Sequence, residues 1–502
     1  MVKPKEIRSR YVLHVLEDLC LNGGAYVSED VLYRRCREQR KTLSYQVFKA
    51  DLSEQIRLGF IHPEGSRLYA ERTWRYEESA AQSLYGILQK PPLPPATLPD
   101  TLAVNGLVLC AEQRAAVGLA LSNRLSLILG GAGSGKSTLI RAIANAVGPE
   151  HPMVLCAPTG KAARNLTART GLMARTVHSA LGMHSDEDFL TPVVWHTTRL
   201  VIVDEASMLT LEMLAGILHR VPDACRVVLL GDPNQLLSVG SGNVLPDLLA
   251  LGIPCAHLQT NHRQGEGALR RNVVDFSDLR LGRDLAKDSS FSLREMGEQA
   301  IQAALAEEAV RRYLACESIQ VLSPFNRKGE LSAYILNQII RDRVNPLNPE
   351  KPVLTCSQES YRDGDRVIIT KNDREHNCSN GDVGILHIQR AAPKDIAFYI
   401  SLPDGRCPSW DDASGLEFLS LAYVLTVHKA QGSEYDTILL PISMGMYGML
   451  SRNLFYTAIS RARQQVILFG SSQAVDVAMQ TRIPPRRSML VPKTRMLTEK
   501  SA

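Results

Sequence analysis

No stretch of the 502-residue sequence reaches the roughly 18 consecutive apolar residues of a membrane-spanning helix, which excludes a helical membrane protein. The opening Met1-Val-Lys-Pro-Lys-Glu6 lacks the apolar segment of a secretory signal. Ten cysteines are scattered from Cys20 to Cys407 without a single C-x-x-C pair, which argues against both a zinc site and a disulfide framework. Neither sign of charge dominates: 57 Lys and Arg stand against 52 Asp and Glu, a net +5 that permits a nucleic-acid partner without establishing one. The expectation is a cytoplasmic protein with reduced thiols, 45% apolar and 22% charged, long enough for about three or four domains.

What is present begins with Leu125-Ser-Leu-Ile-Leu-Gly-Gly-Ala-Gly-Ser-Gly-Lys-Ser-Thr138, an apolar strand, a glycine turn and a helix start in succession. It fits G-x-x-x-x-G-K-[ST], from Gly130 to Gly135, Lys136 and Ser137. Glycines let the backbone curl until successive N–H groups face phosphate oxygens, and the following helix adds its positive end. Gly131, Gly133, Ser134, Gly135, Lys136, Ser137 and Thr138 are therefore expected to cradle a nucleoside triphosphate. Lys136 would neutralise the β- and γ-phosphates and Ser137 would ligate Mg²⁺.

The first 90 residues read as a small helix-rich module, with helices at 6–21, after Ser28 and at 45–58, and a short wing at 59–65. The proline-rich stretch 90–99 marks a connector. Beyond it, apolar strands at 125–129, 153–157, 200–204 and 227–230 alternate with helical segments, as a parallel sheet covered on both faces requires. The rhythm returns at 319–323, 437–441 and 465–470 without a second phosphate loop, which implies a second α/β domain. Short alternating strands and the turns Asn380-Gly381 and Asp404-Gly405 place a small β-barrel at 357–415, inserted into that domain. The expected division is thus 1–90, 91–257, 258–356 with 416–482, the insertion 357–415, and a loose basic tail at 483–502.

Val201-Ile-Val-Asp204-Glu205 is a strand ending in two carboxylates, where a parallel-sheet ATPase places its metal ligand and the group that polarises the attacking water. Asp204 takes the first role and Glu205 the second. At the end of the next strand Gln235 is a candidate sensor of the γ-phosphate.

With these sit Leu109-Cys-Ala-Glu-Gln113, Ala157-Pro-Thr-Gly-Lys161-Ala-Ala-Arg164, Thr176-Val-His178, Val424-Leu-Thr426-Val-His428 running on to Glu434, and Leu454-Phe-Tyr-Thr-Ala-Ile-Ser-Arg461-Ala-Arg463. In order and content the chain resembles the superfamily 1 helicases, specifically the RecD-like branch that moves 5′-to-3′ on single-stranded DNA. Residues 1–90 by themselves resemble a winged-helix module, and the helicase resemblance, over roughly residues 100 to 475, implies two RecA-like domains and an SH3-like barrel. It further implies that Gln113 reads adenine, that Glu434 meets the ribose, and that Arg263 and Arg461 reach the γ-phosphate from the second lobe. Pro158, Thr159, Lys161, Thr176, His178, Thr426 and His428 would line a groove that grips phosphates without reading bases. Each of these groove residues has a helix-cap or core role as its alternative. His262 stands where the family commonly has an aromatic residue, and 181–198 leaves room only for a short strand-separating hairpin.

The resulting expectation is a monomeric, ATP- and Mg²⁺-dependent DNA helicase that engages single strands and single–double strand junctions in recombination or repair. Its rivals are a non-motor ATPase subunit of a nuclease complex, resembling the exodeoxyribonuclease V alpha chain, and a DNA-binding regulatory ATPase. No metal-binding nuclease constellation is evident, so any cutting would belong to a nuclease or recombination partner.

Overall fold

The structure is a computed structural model that describes residues 10–91, 93–94, 103–104, 106–131, 133–148, 150–183, 195–259, 267–277, 285–356, 359–373, 375–392 and 395–501. Helices Tyr11–Gly23, Glu29–Gln39 and Tyr45–Arg57 pack around Val12, Leu16, Leu32, Phe48 and Leu52. The Ser44 hydroxyl caps the third helix by accepting from the Val47 amide at 3.3 Å. Strands Val27–Ser28, Arg67–Ala70 and Ile61–Glu64 form a small antiparallel sheet beside them.

The next helix, Glu71–Leu88, buries Tyr76, Ala80, Ala81 and Leu84, a single stripe at helical spacing. That stripe joins the core of the first α/β lobe, against the helix Leu211–Arg220. The boundary expected at residue 90 therefore falls after a helix that already belongs to the lobe's core.

The first lobe is a six-stranded parallel sheet in the order Cys255–Leu258, Leu125–Gly130, Arg226–Gly231, Leu200–Val203, Met153–Ala157, Arg175–Thr176. Leu125–Gly130 and Leu200–Val203 are buried at every position, because helices cover both faces. The second lobe is a five-stranded parallel sheet in the order Phe291–Glu295, Ala462–Gly470, Tyr435–Ile442, Ile319–Ser323, Val424–Thr426. The edge strands Arg175–Thr176 and Val424–Thr426 carry the expected groove residues at their C-terminal ends.

Between Ile319–Ser323 and Val424–Thr426 the chain departs into an antiparallel barrel of strands Arg366–Ile369, Val383–Ala392, Asp395–Ser401, Ser409–Trp410 and Leu419–Leu421. A two-stranded ladder, Val353–Cys356 with Glu359–Arg362, precedes it.

The C-terminal segment is not the loose tail expected. After Gln480 it returns to the first lobe, where Arg486 donates to the carbonyls of Ser238 at 2.6 Å and Gly240 at 2.9 Å. It then forms the helix Leu490–Ser501, packed on Glu71–Leu88. Lys493 lies within 3.4 Å of both Glu64 and the fully buried Glu77, and Glu77 also accepts from the Met489 amide at 2.8 Å.

Candidate active site

The strand Leu125–Gly130 ends in a loop whose Gly133 and Gly135 take φ of +81° and +83°, a conformation that side-chain-bearing residues rarely adopt. The loop delivers Lys136 to the first turn of the helix Lys136–Val147. The Lys136 ammonium donates to the Gly131 carbonyl at 2.9 Å. A Cβ at Gly131 would lie 2.9 Å from the Tyr456 hydroxyl, so the glycine is required by a side chain from the other lobe.

Asp204 and Glu205 follow the strand Leu200–Val203. Burial, reinforced by the neighbouring Glu205 charge, pushes the Asp204 carboxyl above its ordinary range, and Lys136 opposes the shift. Glu205 has φ +54° and ψ +42°, a strained backbone for a residue with a side chain. The Asp204 carboxylate accepts the Glu205 amide at 2.9 Å and fixes that turn. Beneath them Asp232, fully buried, is pushed up by desolvation; Lys136's charge and the Tyr456 hydroxyl at 2.7 Å oppose it.

Gln235 is 2% exposed, its amide NH₂ reaches Asp232 at 3.4 Å, and its carbonyl oxygen has no hydrogen-bond partner among the described residues. An orphaned acceptor beside a cavity suits a group that orients water or phosphate.

These groups share one cavity of about 340 Å³ with residues of the second lobe. From the first lobe come Gly133, Ser134, Gly135, Lys136, Ser137, Asp204, Glu205 and Gln235; from the second come Gly432, Glu434, Arg461 and Arg463. Arg461 is 3% exposed and held by the Thr457 carbonyl and Ser460 hydroxyl, each at 3.2 Å. Glu434 lies between Arg169 of the first lobe and Arg463, the latter at 3.1 Å.

Three expected nucleotide residues line other surroundings. Gly131 sits behind the loop against Tyr456, Thr138 lies one residue past the lining, and Gln113 uses its carbonyl to accept the Cys110 amide at 3.2 Å, capping its own helix. Arg263 and His262 lie outside the described residues, as do residues 184–194 of the expected hairpin.

Sequence reasoning missed the clasp around Gln235. The Thr457 hydroxyl accepts the Leu236 amide at 2.9 Å, Asn453 donates to the carbonyls of Asn234 and Gln235 at 3.0 and 3.2 Å, and Gln431 donates to Leu236 at 3.1 Å. All four hydrogen bonds cross between lobes. Gln431 and Thr457 lay inside the quoted motifs and Asn453 one residue before one, but nothing in a linear pattern pairs them with the Gln235 loop.

The expected groove residues stand at the carboxyl ends of parallel strands. Thr159, Thr176 and Thr426 each cap a following turn, accepting the amides of Ala162, Ser179 and Lys429 at 3.2, 3.1 and 3.3 Å. Capping uses a lone pair and leaves each hydroxyl proton free to donate. His178 is exposed and His428 half-buried, whereas Pro158 is buried. Lys161 turns away from the rest, with its ammonium 5.6 Å above the Tyr435 ring of the second lobe.

Two parallel-sheet lobes enclosing a phosphate loop define a P-loop nucleoside triphosphatase with paired RecA-like domains. Family models agree: an AAA domain matches residues 108–289, a UvrD-like helicase C-terminal domain 421–469, and the ATP-dependent RecD-like DNA helicase SH3 domain 336–396. The ATP-dependent RecD2 DNA helicase of Deinococcus radiodurans is 34% identical over 449 residues, covering 86% of this chain and 59% of that protein. The RecBCD enzyme subunit RecD of Mycolicibacterium smegmatis is 30% identical over 470 residues, covering 83% of this chain and 80% of that one. A solved structure of two coordinating Pif1 helicases on forked duplex DNA shares the fold, with TM-score 0.50 and 19% identity over 78% of this chain and 98% of that one. The chain belongs to the RecD-like helicase family.

Proposed function

We propose that the chain is an ATP-dependent motor that translocates 5′-to-3′ on single-stranded DNA and opens duplexes at single–double strand junctions, in recombination or repair. The carrying observation is the shared cavity, in which Lys136 and Glu205 of one lobe face Arg461 of the other. A guanidinium supplied across a cleft completes the site only when the lobes are together, so hydrolysis is tied to their approach.

In this reading Lys136 and the loop amides hold the β- and γ-phosphates, Glu205 takes a proton from the attacking water and Gln235 orients it. Arg461, and Arg263 by family analogy, stabilise charge developing on the γ-phosphate. The donor set suits magnesium: a hydroxyl at Ser137 and the half-buried carboxylate of Asp204 line the same cavity. Held there, the ion would supply charge neutralisation between phosphates. Among the described residues no cluster of three or more His, Cys, Asp or Glu could hold a metal, so phosphate and water oxygens would complete its shell.

Pro158, Thr159, Thr176, His178, Thr426 and His428 are proposed to hold the DNA backbone, with Lys161 tying the groove to the second lobe. The three helices and small sheet of residues 11–70 support a winged-helix-like reading of the N-terminal module. No described helix is long and apolar enough to cross a membrane.

The test is ATP turnover with and without single-stranded DNA. Strong stimulation by strands of any sequence is expected, together with its complete loss in Lys136→Ala. Stimulation confined to one duplex sequence, or turnover surviving in Lys136→Ala, would refute the proposal.

A further inference from the structure

The helix Gly160–Thr170 runs from the candidate groove to the nucleotide cavity and touches three parts of the molecule. Thr159 caps its N-terminus, Lys161 lies in its first turn, and its last turn carries Arg169 in the cavity lining. Along one side Asn165 donates to the Gly432 carbonyl of the second lobe at 2.6 Å. On another side it meets the barrel, through the Arg164 guanidinium and the Asp382 carboxylate.

The barrel contact is closely fitted. A Cβ at Gly160 would lie 2.6 Å from the Ser379 Cβ, and one at Gly381 would lie 3.4 Å from the Lys161 Cβ. Asp382 is 6% exposed, and its second oxygen pairs with Arg406 at 3.2 Å and accepts the Ser379 amide at 2.9 Å. Arg406 is held in turn by Asp404 at 2.7 Å.

This arrangement can open without stranding a charge. If Arg164 withdraws, Asp382 keeps Arg406 and the Ser379 amide, while Arg164, already 30% exposed, passes into water. A buried pair whose separation orphaned one member would oppose opening far more strongly. The contact also spans the bodies whose approach completes the nucleotide site, because the barrel is inserted in the second lobe and the helix belongs to the first.

We propose that Arg164 and Asp382 are positioning residues of the DNA-coupled reaction. Their pairing seats the barrel over the mouth of the groove, and the helix Gly160–Thr170 carries that seating to the Gly432–Glu434 side of the cavity. The inference rests on the motor reading given above. A strand held beneath the barrel thereby favours the closed cleft, and ATP turnover rises with it. Neither residue touches nucleotide.

Steady-state ATP turnover with and without oligo(dT) tests this in the full chain. Asp382→Asn, Arg164→Gln and the double variant are expected to keep DNA-free turnover within about twofold of the unaltered chain, and to lose DNA-stimulated kcat by about fivefold or more. The double variant loses no more than either single one, the non-additivity of a direct pair. Arg164→Lys restores part of the stimulation, and Gly160→Ala, which wedges the surfaces apart with both charges intact, reproduces the loss. Full stimulation in the single variants, additive losses, or an equal fall in DNA-free turnover would each overturn the proposal. No stimulation of the unaltered chain would overturn the motor reading and this inference with it; stimulation that the variants leave unchanged would overturn only the inference.

Discussion

Arg461 carries the most specific expectation at the scale of single residues. It reaches the cavity from the lobe that lacks the phosphate loop, held by the Thr457 carbonyl and Ser460 hydroxyl. Its charge then matters chiefly once the γ-phosphate starts to leave, so Arg461→Ala should keep ATP affinity within about threefold while kcat falls by about 10³. Equal losses in binding and turnover, read by nucleotide titration beside steady-state kinetics, would contradict a transition-state role. His428 offers a pH test. Burial first, and then the Arg486 charge, hold its imidazole below the ordinary value, so it is neutral in the free protein at neutral pH. Its contribution to folding is therefore full above about 6.5 and declines as pH falls below that, where the unfolded chain takes up the proton more readily. A DNA phosphate nearby favours the protonated ring, so binding takes up protons. Affinity for single strands should rise as pH drops from 8 to 6, and His428→Gln should reduce that rise; an identical pH profile in the variant would remove His428 from the groove. Lys136 with Ser137, and Asp204 with Glu205, were legible as candidates because each pair is contiguous and follows an apolar strand, and the fold brings both pairs to one cavity. Asp232, Asn453, Tyr456 and Thr457 were not, since the Asp232–Tyr456 hydrogen bond joins positions 224 residues apart.

Among the elements, the C-terminal helix Leu490–Ser501 shows where pattern reading failed. Its buried residues are Leu490, Lys493 and Thr494, and a lysine 8% exposed leaves no trace in hydrophobic periodicity. Lys493 is buried because Glu64, Glu77 and Glu78 surround it, carboxylates contributed by the wing and the helix Glu71–Leu88. Lys493→Met should destabilise docking by about 3 kcal/mol, because a carboxylate is left buried without its counter-charge. Limited proteolysis between residues 481 and 489 should become rapid; unchanged resistance would show that Arg486 and the backbone contacts hold the segment unaided. The long buried strands were legible, whereas Arg175–Thr176 and Val424–Thr426, two and three residues long, are too short to show a period. Their positions became apparent only through parallel pairing with Met153–Ala157 and Ile319–Ser323.

The whole molecule joins two lobes by more than the cleft. The Gln235 loop is clasped by the helix Arg452–Ile459, the barrel rests on the helix Gly160–Thr170, and the C-terminal segment crosses back to the first lobe. In the proposed motor, approach of the lobes around nucleotide would also move the candidate groove residues, which sit at the strand ends of both sheets. Opening a base-pair step costs about 1.4 kcal/mol on average, so an advance of one nucleotide per cycle would be a small demand on ATP hydrolysis. Two parallel sheets and an inserted barrel could be read from strand rhythm and turn residues. The cross-lobe contacts could not, because each depends on which surfaces meet after both lobes have folded. The most direct test of a motor built this way is strand displacement from duplexes bearing a 5′ or a 3′ single-stranded tail, with ATP and without it. Displacement that needs ATP and the 5′ tail, and vanishes in Lys136→Ala, is predicted. ATP hydrolysis accompanied by no displacement of either duplex and no movement along single strands would contradict it.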